Sequence, residues 1–457
     1  MKVKNTLVGN IRGDVLAFTA GRDAELDRVL AESDCLGTAA HVIMLSRMAV
    51  HPRVISAAQC RAVLRELARL VLEIRAGRFR IELDDQDVHL AIERRLTQRL
   101  GDLGKRVHTG RSRNDQVALD LRLYARNEVL GAIVETADLA QVLLRVGRRE
   151  AATPMVGRTH FQPAMPSSVG LWAAAHAESL IEDLHQLAAA YQLVNRSPLG
   201  GAAGYGVPLP LDRDLTSRLL GFGEPVHTVL HATGGARGKL ESVVLGAMSQ
   251  AMLSLSRLAE DLVLFSAPEF GYVRLPAAFC TGSSIMPQKR NPDVLELVRA
   301  KAARVAAHAA VVMDIVRRLP SGYNRDLQET KEPFLDGMAT TRASLRIMTS
   351  LVAAIEFDRR ALAFGFTPEV FATDRALELV AEGVPFREAY ERVKAGLEDL
   401  GTRDPRAAVR AKRHLGAPAG VDFAGLSRRV RRAADAARRE GRRLERALAR
   451  LLPVVRG

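Results

Sequence analysis

Apolar residues recur every three or four positions along most of this 457-residue chain. The clearest run is LESVVLGAMSQAMLSLSRLAEDLVLF, residues 240–265, and residues 169–194 and 292–318 repeat its spacing at similar length. This period is typical of amphipathic helices, and few segments show the strict alternation of a half-buried strand. The pattern therefore predicts long helices that pack nearly antiparallel in a bundle. Helices this apolar bury more than one face, so we also expect an oligomer.

Composition supports an all-α fold and suggests three domains. Only 5% of the residues are aromatic, while Ala, Leu, Arg and Glu are frequent, and these residues favour helices over strands. Shifts in composition predict an N-terminal helical domain (1–105), a central bundle of long helices (106–355) and a small helical C-terminal domain with an Arg-rich tail (356–457). Unusual polar residues collect in the Gly- and Pro-rich breaks of this pattern, at residues 99–113, 152–168, 197–211, 265–293 and 318–324.

Three cysteines, Cys35, Cys60 and Cys280, lie far apart and form no CxxC pair. Disulfides and structural zinc are therefore disfavoured, and a reducing cytoplasm is expected. No apolar run is long enough to span a bilayer, and the N-terminal segment lacks the apolar core of a signal peptide. No phosphate-binding loop or HExxH motif is present, and His89 and His108 lie near acidic residues without the spacing of metal ligands. We therefore expect no metal, no cofactor and no membrane partner.

The formal charge of +14 is concentrated at the C-terminal end of the chain. Residues 427–457 contain eleven arginines against three acidic residues, a net +8. This segment is either a solvated helix or a tail that contacts polyanions. The helix is favoured, and a nucleic-acid partner is not, because four leucines provide a packing stripe: Leu444, Leu448, Leu451 and Leu452.

Two polar loops could carry chemistry. The loop HTGRSRNDQ, residues 108–116, offers Ser112, Arg113 and Asn114 as donors suited to a carboxylate, although an ordinary loop before a helix would look similar. The loop GRTHFQPAMP, residues 157–166, places His160 between prolines, where its imidazole could transfer a proton near neutral pH or be purely structural.

A third loop, TGSSIMPQKRNPD, spans residues 281–293. Asn291 is predicted to cap the next helix, with Pro292 at its first position and Asp293 complementing the helix dipole. An N-cap with a polar approach would account for those three residues. It leaves Lys289 and the paired serines, Ser283 and Ser284, unexplained.

The segment GSSIMPQKRNPD resembles the signature GSSxMPxKxN of the fumarase/aspartase superfamily. Three further segments resemble the argininosuccinate lyase family: DDQDVHLAIERRLTQRLGDLGKRVHTGRSRNDQVALDLRLYAR, LPSGYNRDLQETKEP and ATDRALELVAEGVPFREAYERV. The resemblance covers roughly residues 14–400. It implies a three-domain, mostly helical fold and a homotetramer whose bundles form a twenty-helix core, with each active site drawing segments from three subunits. It also implies reversible β-elimination of argininosuccinate to arginine and fumarate.

The resemblance also assigns catalytic roles to residues that match the family's motifs. Ser283 would be the base that removes a proton from the substrate carbon. Lys289 and Asn291 would stabilise the dianion that results. His160 would be the general acid or base on the leaving-group side, and Glu296 would orient it.

Substrate-binding roles follow in the same way. The succinyl carboxylates would be bound by a set of polar donors: Ser112, Arg113, Asn114 and Thr159. Tyr323, Gln328 and Lys331 would hold the remainder of the substrate. Asp87 would either bind a cationic group or serve as a helix N-cap.

Three segments depart from the usual family pattern. Ala164-Met165-Pro166 replaces Ala-Gln-Pro, FTAGRDAELD (residues 18–27) replaces an Asn-Ala-Ser-Ile segment, and HATGGARG (residues 231–238) replaces an acidic segment. These changes bear on the leaving amine, so a related fumarate-releasing C–N lyase acting on another N-succinyl amine or amino acid is the alternative.

Overall fold

The computed structural model describes residues 3–6, 9–82, 85–401 and 403–453. Asp84 and Arg456, which belong to segments discussed above, lie outside the described residues. The predicted all-α class is confirmed, since strands are few and form only two-stranded ladders within the described residues. None of the described helices combines the length and the apolar character needed to cross a membrane.

The N-terminal part begins with a short hairpin, and helices follow it. Its elements are β1 (Val3–Thr6), β2 (Gly9–Arg12), α1 (Gly13–Ala20), α2 (Asp23–Leu26), a 3₁₀ turn (Asp27–Val29), α3 (Ala31–Arg47), α4 (Ala57–Arg75), α5 (Val88–Leu100) and α6 (Asp102–Arg106). Helix α3 packs against α4, α5 and the next long helix. Their apolar faces form one core with buried Leu45, Leu67 and Leu96.

The central part contains the long helices that the apolar period predicts. Its elements are α7 (Arg113–Arg149), β3 (Pro154–Thr159), β4 (Gln162–Ser168), α8 (Val169–Val194), β5 (Arg196–Ser197), α9 (Arg213–Leu219), β6 (Glu224–Pro225), α10 (Lys239–Ser266), β7 (Val273–Arg274), β8 (Thr281–Gly282), β9 (Arg290–Asn291), α11 (Asp293–Val316) and α12 (Lys331–Ala354). The helices predicted at 169–194, 240–265 and 292–318 are confirmed to within three residues. Helix α10 packs against α8, α11 and α12, and α7 packs against α8 and α12.

The C-terminal part begins with small helices and ends with a long one. Its elements are β10 (Glu356–Phe357), α13 (Arg359–Phe364), α14 (Ala372–Ala381), α15 (Phe386–Ala395), α16 (Pro405–Ala411) and α17 (Phe423–Ala449). Helix α17 returns to the bundle and packs on α7 and α8. It buries an apolar face that includes Val430, Ala437 and Leu444, while its arginine-rich face is exposed. The predicted helix is therefore confirmed over Phe423–Ala449; of the predicted stripe, Leu444 and Leu451 are buried, and Leu451 and Leu452 lie beyond the helix end.

The short strands shape the connections between helices. Strands β3 and β4 form an antiparallel hairpin with a register shift at Gly157/Arg158, so the segment predicted as a proline-bounded loop is a hairpin instead. Strands β8 and β9 pair antiparallel, as do β7 and β10, while β5 and β6 run parallel. These pairs lie in the connections between helices.

Candidate active site

The loop before α7 is held by its own helix cap. Ser112 is the N-cap residue, and its hydroxyl oxygen accepts the Asn114 amide at 3.2 Å. Asp115 reciprocates by accepting the Ser112 amide at 3.1 Å, and its second oxygen accepts the amides of Gly200 and Ala202 at 3.1 and 2.9 Å. Burial raises the pKa of Asp115 to about 6, although these amide hydrogen bonds oppose the shift. This capping box orders Ser112 and Asn114 and uses one predicted substrate donor, Ser112, as an acceptor.

Asp87 is the N-cap of α5, one of the two interpretations left open by the sequence, and it also pairs with an arginine of its own chain. Its Oδ1 accepts the Leu90 amide at 3.0 Å as the N-cap of α5, and its Oδ2 lies 3.2 Å from Nε of Arg113. The first turns of α5 and α7 are thus joined by an ion pair. The pair holds the Arg113 guanidinium beside the N-terminus of α5.

Three buried side chains behind this loop form a cluster that sequence analysis missed. Nδ1 of His89 lies 2.5 Å from Oδ2 of Asp34 and 3.6 Å from Oδ2 of Asp120. These atoms are close enough to share a metal ion, although the sequence spacing of His89 suggested no such set. The three residues lie on α3, α5 and α7, so only the packing of three helices reveals the cluster.

His160 lies at the tip of the β3–β4 hairpin. Thr159 pairs with Gln162, so His160 and Phe161 form a two-residue turn with φ of 54° and 61°. Positive φ at both central positions is the signature of a type I′ turn, and it is uncommon for residues other than glycine, asparagine or aspartate. Arg158 stabilises the tip by donating from Nη1 to the Phe161 carbonyl at 3.0 Å. The turn holds the His160 and Phe161 side chains in solvent.

Ser283 lies on an exposed loop between β8 and β9. Its hydroxyl oxygen accepts the backbone amides of Ile285 and Met286 at 3.3 and 3.1 Å. Lys289 is exposed, and its own amide donates to the Met286 carbonyl at 3.0 Å, which closes a turn inside the loop. The loop therefore presents a hydroxyl, an ammonium group and two apolar side chains to solvent.

The predicted N-cap role of Asn291 is wrong. Asn291 pairs with Thr281 in the β8–β9 ladder, and the N-cap position of α11 is held by Pro292, whose side chain cannot accept a hydrogen bond. Asp293 begins the helix, and its carboxylate accepts a hydrogen bond from the Thr281 hydroxyl. Because the backbone of Asn291 is paired in the ladder, the helix begins at Asp293 and Asn291 does not cap it. Glu296 follows in the first turn of α11, exposed to solvent.

The segment that carries Tyr323, Gln328 and Lys331 lies against the N-terminal helices. Gln328 donates to the carbonyls of Thr19 and Ala20 at 3.1 and 3.3 Å. Lys331 is 3% exposed, and its ammonium group lies 2.8 Å from Asp23 and 2.5 Å from Asp27. Burial acts to lower the pKa of Lys331, but these two carboxylates outweigh it and raise the pKa overall.

Tyr323, Gln328 and Lys331 differ in their contacts and in their exposure. Lys331 neutralises two carboxylates of its own chain, Asp23 and Asp27. The second oxygen of Asp27 accepts the Val88 amide at 3.2 Å, next to Asp87. Tyr323 is partly exposed, whereas Gln328 is partly buried by its two backbone contacts.

The altered segment 231–238 lies against the same region. His231–Gly235 forms a single π-helical turn, a feature frequent at functional sites. A Cβ on Gly234 would lie 2.7 Å from the Gly322 carbonyl oxygen, so only glycine permits this approach. Arg237 donates to the Leu327 carbonyl at 2.9 Å and pairs with Glu241 at 3.0 Å. The segment therefore supports the loop that carries Tyr323 and Gln328.

The predicted site residues thus fall into three groups within one chain. Ser112, Arg113, Asn114 and Asp87 adjoin the group of Gln328 and Lys331 through Asp27. Thr159 and His160 form a second group, and the third comprises Ser283, Lys289, Asn291 and Glu296. Among the described residues, no hydrogen bond or ion pair links one of these three groups to another.

Comparisons with known proteins place this chain among lyases. Residues 22–307 match the sequence profile of a family described as Lyase. The chain is 48% identical over 424 residues to the argininosuccinate lyase of Sorangium cellulosum, covering 93% of this chain and 97% of that protein. It is 42% identical to the argininosuccinate lyases of Phocaeicola vulgatus, with coverage of 85% and 86%, and of Stenotrophomonas maltophilia, with coverage of 88% and 92%.

Solved structures share the fold at lower sequence identity. The crystal structure of EDDS lyase in complex with formate superposes with a TM-score of 0.79 at 23% identity, covering 95% of this chain and 94% of that one. The class II fumarase from Schistosoma mansoni gives a TM-score of 0.68 at 17% identity, with coverage of 89% and 98%. The fold is therefore that of the fumarase/aspartase superfamily, and from its sequence relatives this chain belongs to the argininosuccinate lyase family.

Proposed function

We propose that this chain catalyses the reversible β-elimination of argininosuccinate to arginine and fumarate without a metal or an organic cofactor. The observation that carries the proposal is the set of relatives at 42–48% identity, all argininosuccinate lyases, that align with at least 85% of the chain. The reaction needs a base, a proton donor for the leaving nitrogen and donors for the succinyl carboxylates. Each of the three groups supplies part of that set.

Ser283 is proposed as the base. It removes a proton from the carbon next to the one that bears the leaving nitrogen, and this electron pair becomes the new C=C bond of fumarate. The amides of Ile285 and Met286 that point at its oxygen would stabilise the ionised hydroxyl, because backbone donors favour the charged form. Lys289 and Asn291 would stabilise the dianion that precedes C–N cleavage, as preorganised charge usually provides the largest catalytic effect.

His160 is proposed to act on the leaving-group side. The electron pair of the breaking C–N bond stays on the guanidino nitrogen, and this nitrogen takes a proton that His160 can donate. The tight turn at residues 160–161 holds the ring outward, so the imidazole is free to meet a substrate. Glu296 would orient this ring, with general acid–base help worth roughly 10²–10⁴-fold in rate.

The α7 loop is proposed to bind the succinyl carboxylates. Ser112, Asn114 and Thr159 would donate single hydrogen bonds, and Arg113 would bind one carboxylate through its terminal nitrogens. Tyr323, Gln328 and Lys331 would line the side of the active site that the arginine moiety of the substrate occupies. The alternative, a lyase for another N-succinyl amine, is not favoured, because the sequence relatives reported above are argininosuccinate lyases.

A homotetramer with active sites shared by three subunits is proposed to complete the constellation. Its support is the separation of the three groups within one chain and a set of exposed apolar side chains on α10, α11 and α12: Val243, Leu253, Leu297, Val311, Met313 and Ile347. Exposed apolar residues in such number on neighbouring helices mark a surface that another subunit covers.

Release of fumarate, followed by its ultraviolet absorbance, tests the activity directly. The wild-type protein should release fumarate from argininosuccinate and form argininosuccinate from arginine and fumarate. Turnover of another N-succinyl amine with none of argininosuccinate would replace the proposed substrate by the alternative.

Mixing two inactive variants tests the shared site. Ser283→Ala and His160→Asn should each be inactive alone. If one site takes these residues from different subunits, mixed tetramers contain some intact sites and regain a fraction of wild-type activity. Light scattering should report a tetramer throughout, and failure of the mixture to regain activity after subunit exchange would contradict the arrangement.

The Arg-rich tail is proposed to be a structural helix rather than a polyanion site, and the protein to be cytoplasmic. Burial of the apolar face of α17 against α7 and α8 supports the first, and three free cysteines, two of them buried, support the second. Replacing exposed Arg432, Arg439 and Arg446 by Gln should leave retention on nucleic acid unchanged across a salt series. A marked loss of retention would overturn the structural interpretation.

A further inference from the structure

A network of buried side chains supports the α7 loop from behind. His89 pairs with Asp34 at 2.5 Å, and Gln116 of α7 donates to the same Asp34 oxygen at 3.3 Å. Asp34, His89 and Asp120 are each less than 7% exposed. Because these residues come from α3, α5 and α7, the network joins the three helices whose ends surround Ser112, Arg113 and Asn114.

Arg111 connects this network to the loop itself. Its Nη1 donates to the Thr38 hydroxyl at 2.9 Å and its Nη2 to the Val107 carbonyl at 3.2 Å. The Thr38 hydroxyl in turn donates to Oδ1 of Asp34 at 3.3 Å. A second tie runs from Nε2 of His41 to the Thr109 carbonyl at 2.9 Å. Helix α3 therefore holds the loop at two points, the Arg111 side chain and the Thr109 carbonyl.

Charged groups of opposite sign face one another inside the network. Burial acts to lower the pKa of His89, but the hydrogen bond and charge of Asp34 outweigh it and raise the pKa to about 9. Protonated His89 and Arg111 thus face the Asp34 carboxylate, whereas burial and the nearby charge of Asp34 raise the pKa of Asp120 well above its usual range.

Asp34, His89 and Arg111 line a small cavity, and Glu93 and His108 are the other titratable groups in its wall. Burial and the charge of Arg111 lower the pKa of His108 to about 4, so it is neutral near pH 7. Burial raises the pKa of Glu93, which faces Arg111. Neither Glu93 nor neutral His108 carries a positive charge that could replace the charge of His89.

We propose that His89 and Arg111 are positioning residues that preorganise the Ser112–Asn114 loop for the substrate carboxylates. Neither needs to touch substrate. His89 lies two residues after Asp87, so fixing its side chain to α3 and α7 also sets the distance between Asp87 and Arg113. This inference rests on the proposed function for its kinetic consequence and on the structure alone for its effect on the loop.

The experiment compares four full-length proteins. His89→Ala removes the hydrogen bond and the charge, whereas His89→Asn keeps a donor close to the position of Nδ1. Glu66→Gln is the matched control, since it weakens the pair between buried Glu66 and partly exposed Arg99 (2.5 Å), which joins α4 and α5 away from the loop. Arg111→Lys keeps the charge and removes the two-pronged contact with Thr38 and Val107.

Hydrogen–deuterium exchange of residues 107–116 is measured without substrate, and kcat and KM with argininosuccinate. His89→Ala should speed exchange of this segment about tenfold or more and raise KM on the order of tenfold, with kcat changed by less than about threefold. Arg111→Lys should do the same, and His89→Asn should recover part of both effects. Glu66→Gln should lower Tm without moving either readout.

Unchanged exchange and KM in His89→Ala, at a Tm no higher than that of Glu66→Gln, would overturn the proposal. If His89→Ala does not fold, His89→Asn and Arg111→Lys decide by the same two readouts. Failure of the proposed function would look different, because wild type would then release no fumarate while the exchange of residues 107–116 would still respond to the substitutions.

Discussion

Asp87 caps helix α5 with one carboxylate oxygen and pairs with Arg113 of α7 through the other. Asp87→Asn should keep the cap, because Asn caps helices about as well as Asp, and should lose the charge that holds Arg113. We expect KM for argininosuccinate to rise about tenfold with little change in Tm, as measured by fumarate release and thermal unfolding.

Asp422→Asn provides the control for that substitution. Asp422 caps α17 by accepting the Gly425 amide at 2.8 Å and lies far along the chain from the α7 loop. Both variants should retain their helix caps, and only Asp87→Asn should change KM. An equal KM in the two variants would show that the Asp87–Arg113 pair has no part in binding.

Ser283→Ala should reduce kcat by at least about 10²-fold while the oligomer stays intact, since the proposed base is removed. Ser284 is its neighbour in the same exposed loop, and Ser284→Ala should retain most of the activity. Light scattering checks assembly and fumarate release checks rate. Equal losses in the two variants would mean that the loop, rather than the Ser283 hydroxyl, had been damaged.

Lys331→Met should destabilise the folded protein by about 3–5 kcal/mol, because Asp23 and Asp27 would remain buried without their cation. Lys105 pairs with Asp102 on the surface, so Lys105→Met should change the free energy of unfolding little. Denaturant unfolding measures both. A small effect at Lys331 would show that these carboxylates are neutral or solvated in the folded chain.

Gly234→Ala should raise KM, because the new Cβ would lie 2.7 Å from the Gly322 carbonyl oxygen and push away the loop that carries Tyr323. Gly441→Ala in α17 is the matched control, as its Cβ would meet no atom within 4 Å. That control should keep KM and raise stability by roughly 0.5–1 kcal/mol. Steady-state kinetics and thermal unfolding distinguish the two effects.

Stability should fall as pH rises from about 6.5 toward 9, and His89 should account for part of this loss. The pKa of His89 is raised from 6.5 to about 9 in the folded state, so the folded protein holds this proton more tightly than the unfolded chain. The stabilisation is complete below about pH 6.5 and disappears as pH passes 9. Its size is on the order of 3 kcal/mol.

The same variant series measures the pH effect. The difference in unfolding free energy between wild type and His89→Asn should be largest near pH 6 and should shrink steadily toward pH 9. A difference that is independent of pH would contradict the raised pKa.

Much of the fold follows from the order of apolar and polar residues alone. The apolar period predicts the helix at residues 169–194 with the bounds that the structure has, because this signal acts within a few residues; in the structure the Ser168 hydroxyl caps it. Local signals failed where a longer-range contact competes. Asn291 has the sequence of an N-cap, but the ladder with Thr281 claims its backbone and shifts the helix start.

The site divides in the same way. The sequence by itself determined which chemical groups are present, since Ser283, His160 and Arg113 stand in recognisable motifs. Only the tertiary structure decided what those groups contact: Asp87 with Arg113, Lys331 with Asp23 and Asp27, and His89 with Asp34. Lys331 and Asp23 are separated by about three hundred residues, and no local pattern encodes a contact over that distance. Such pairs form because helix packing removes the charges from water and leaves them only one another as partners.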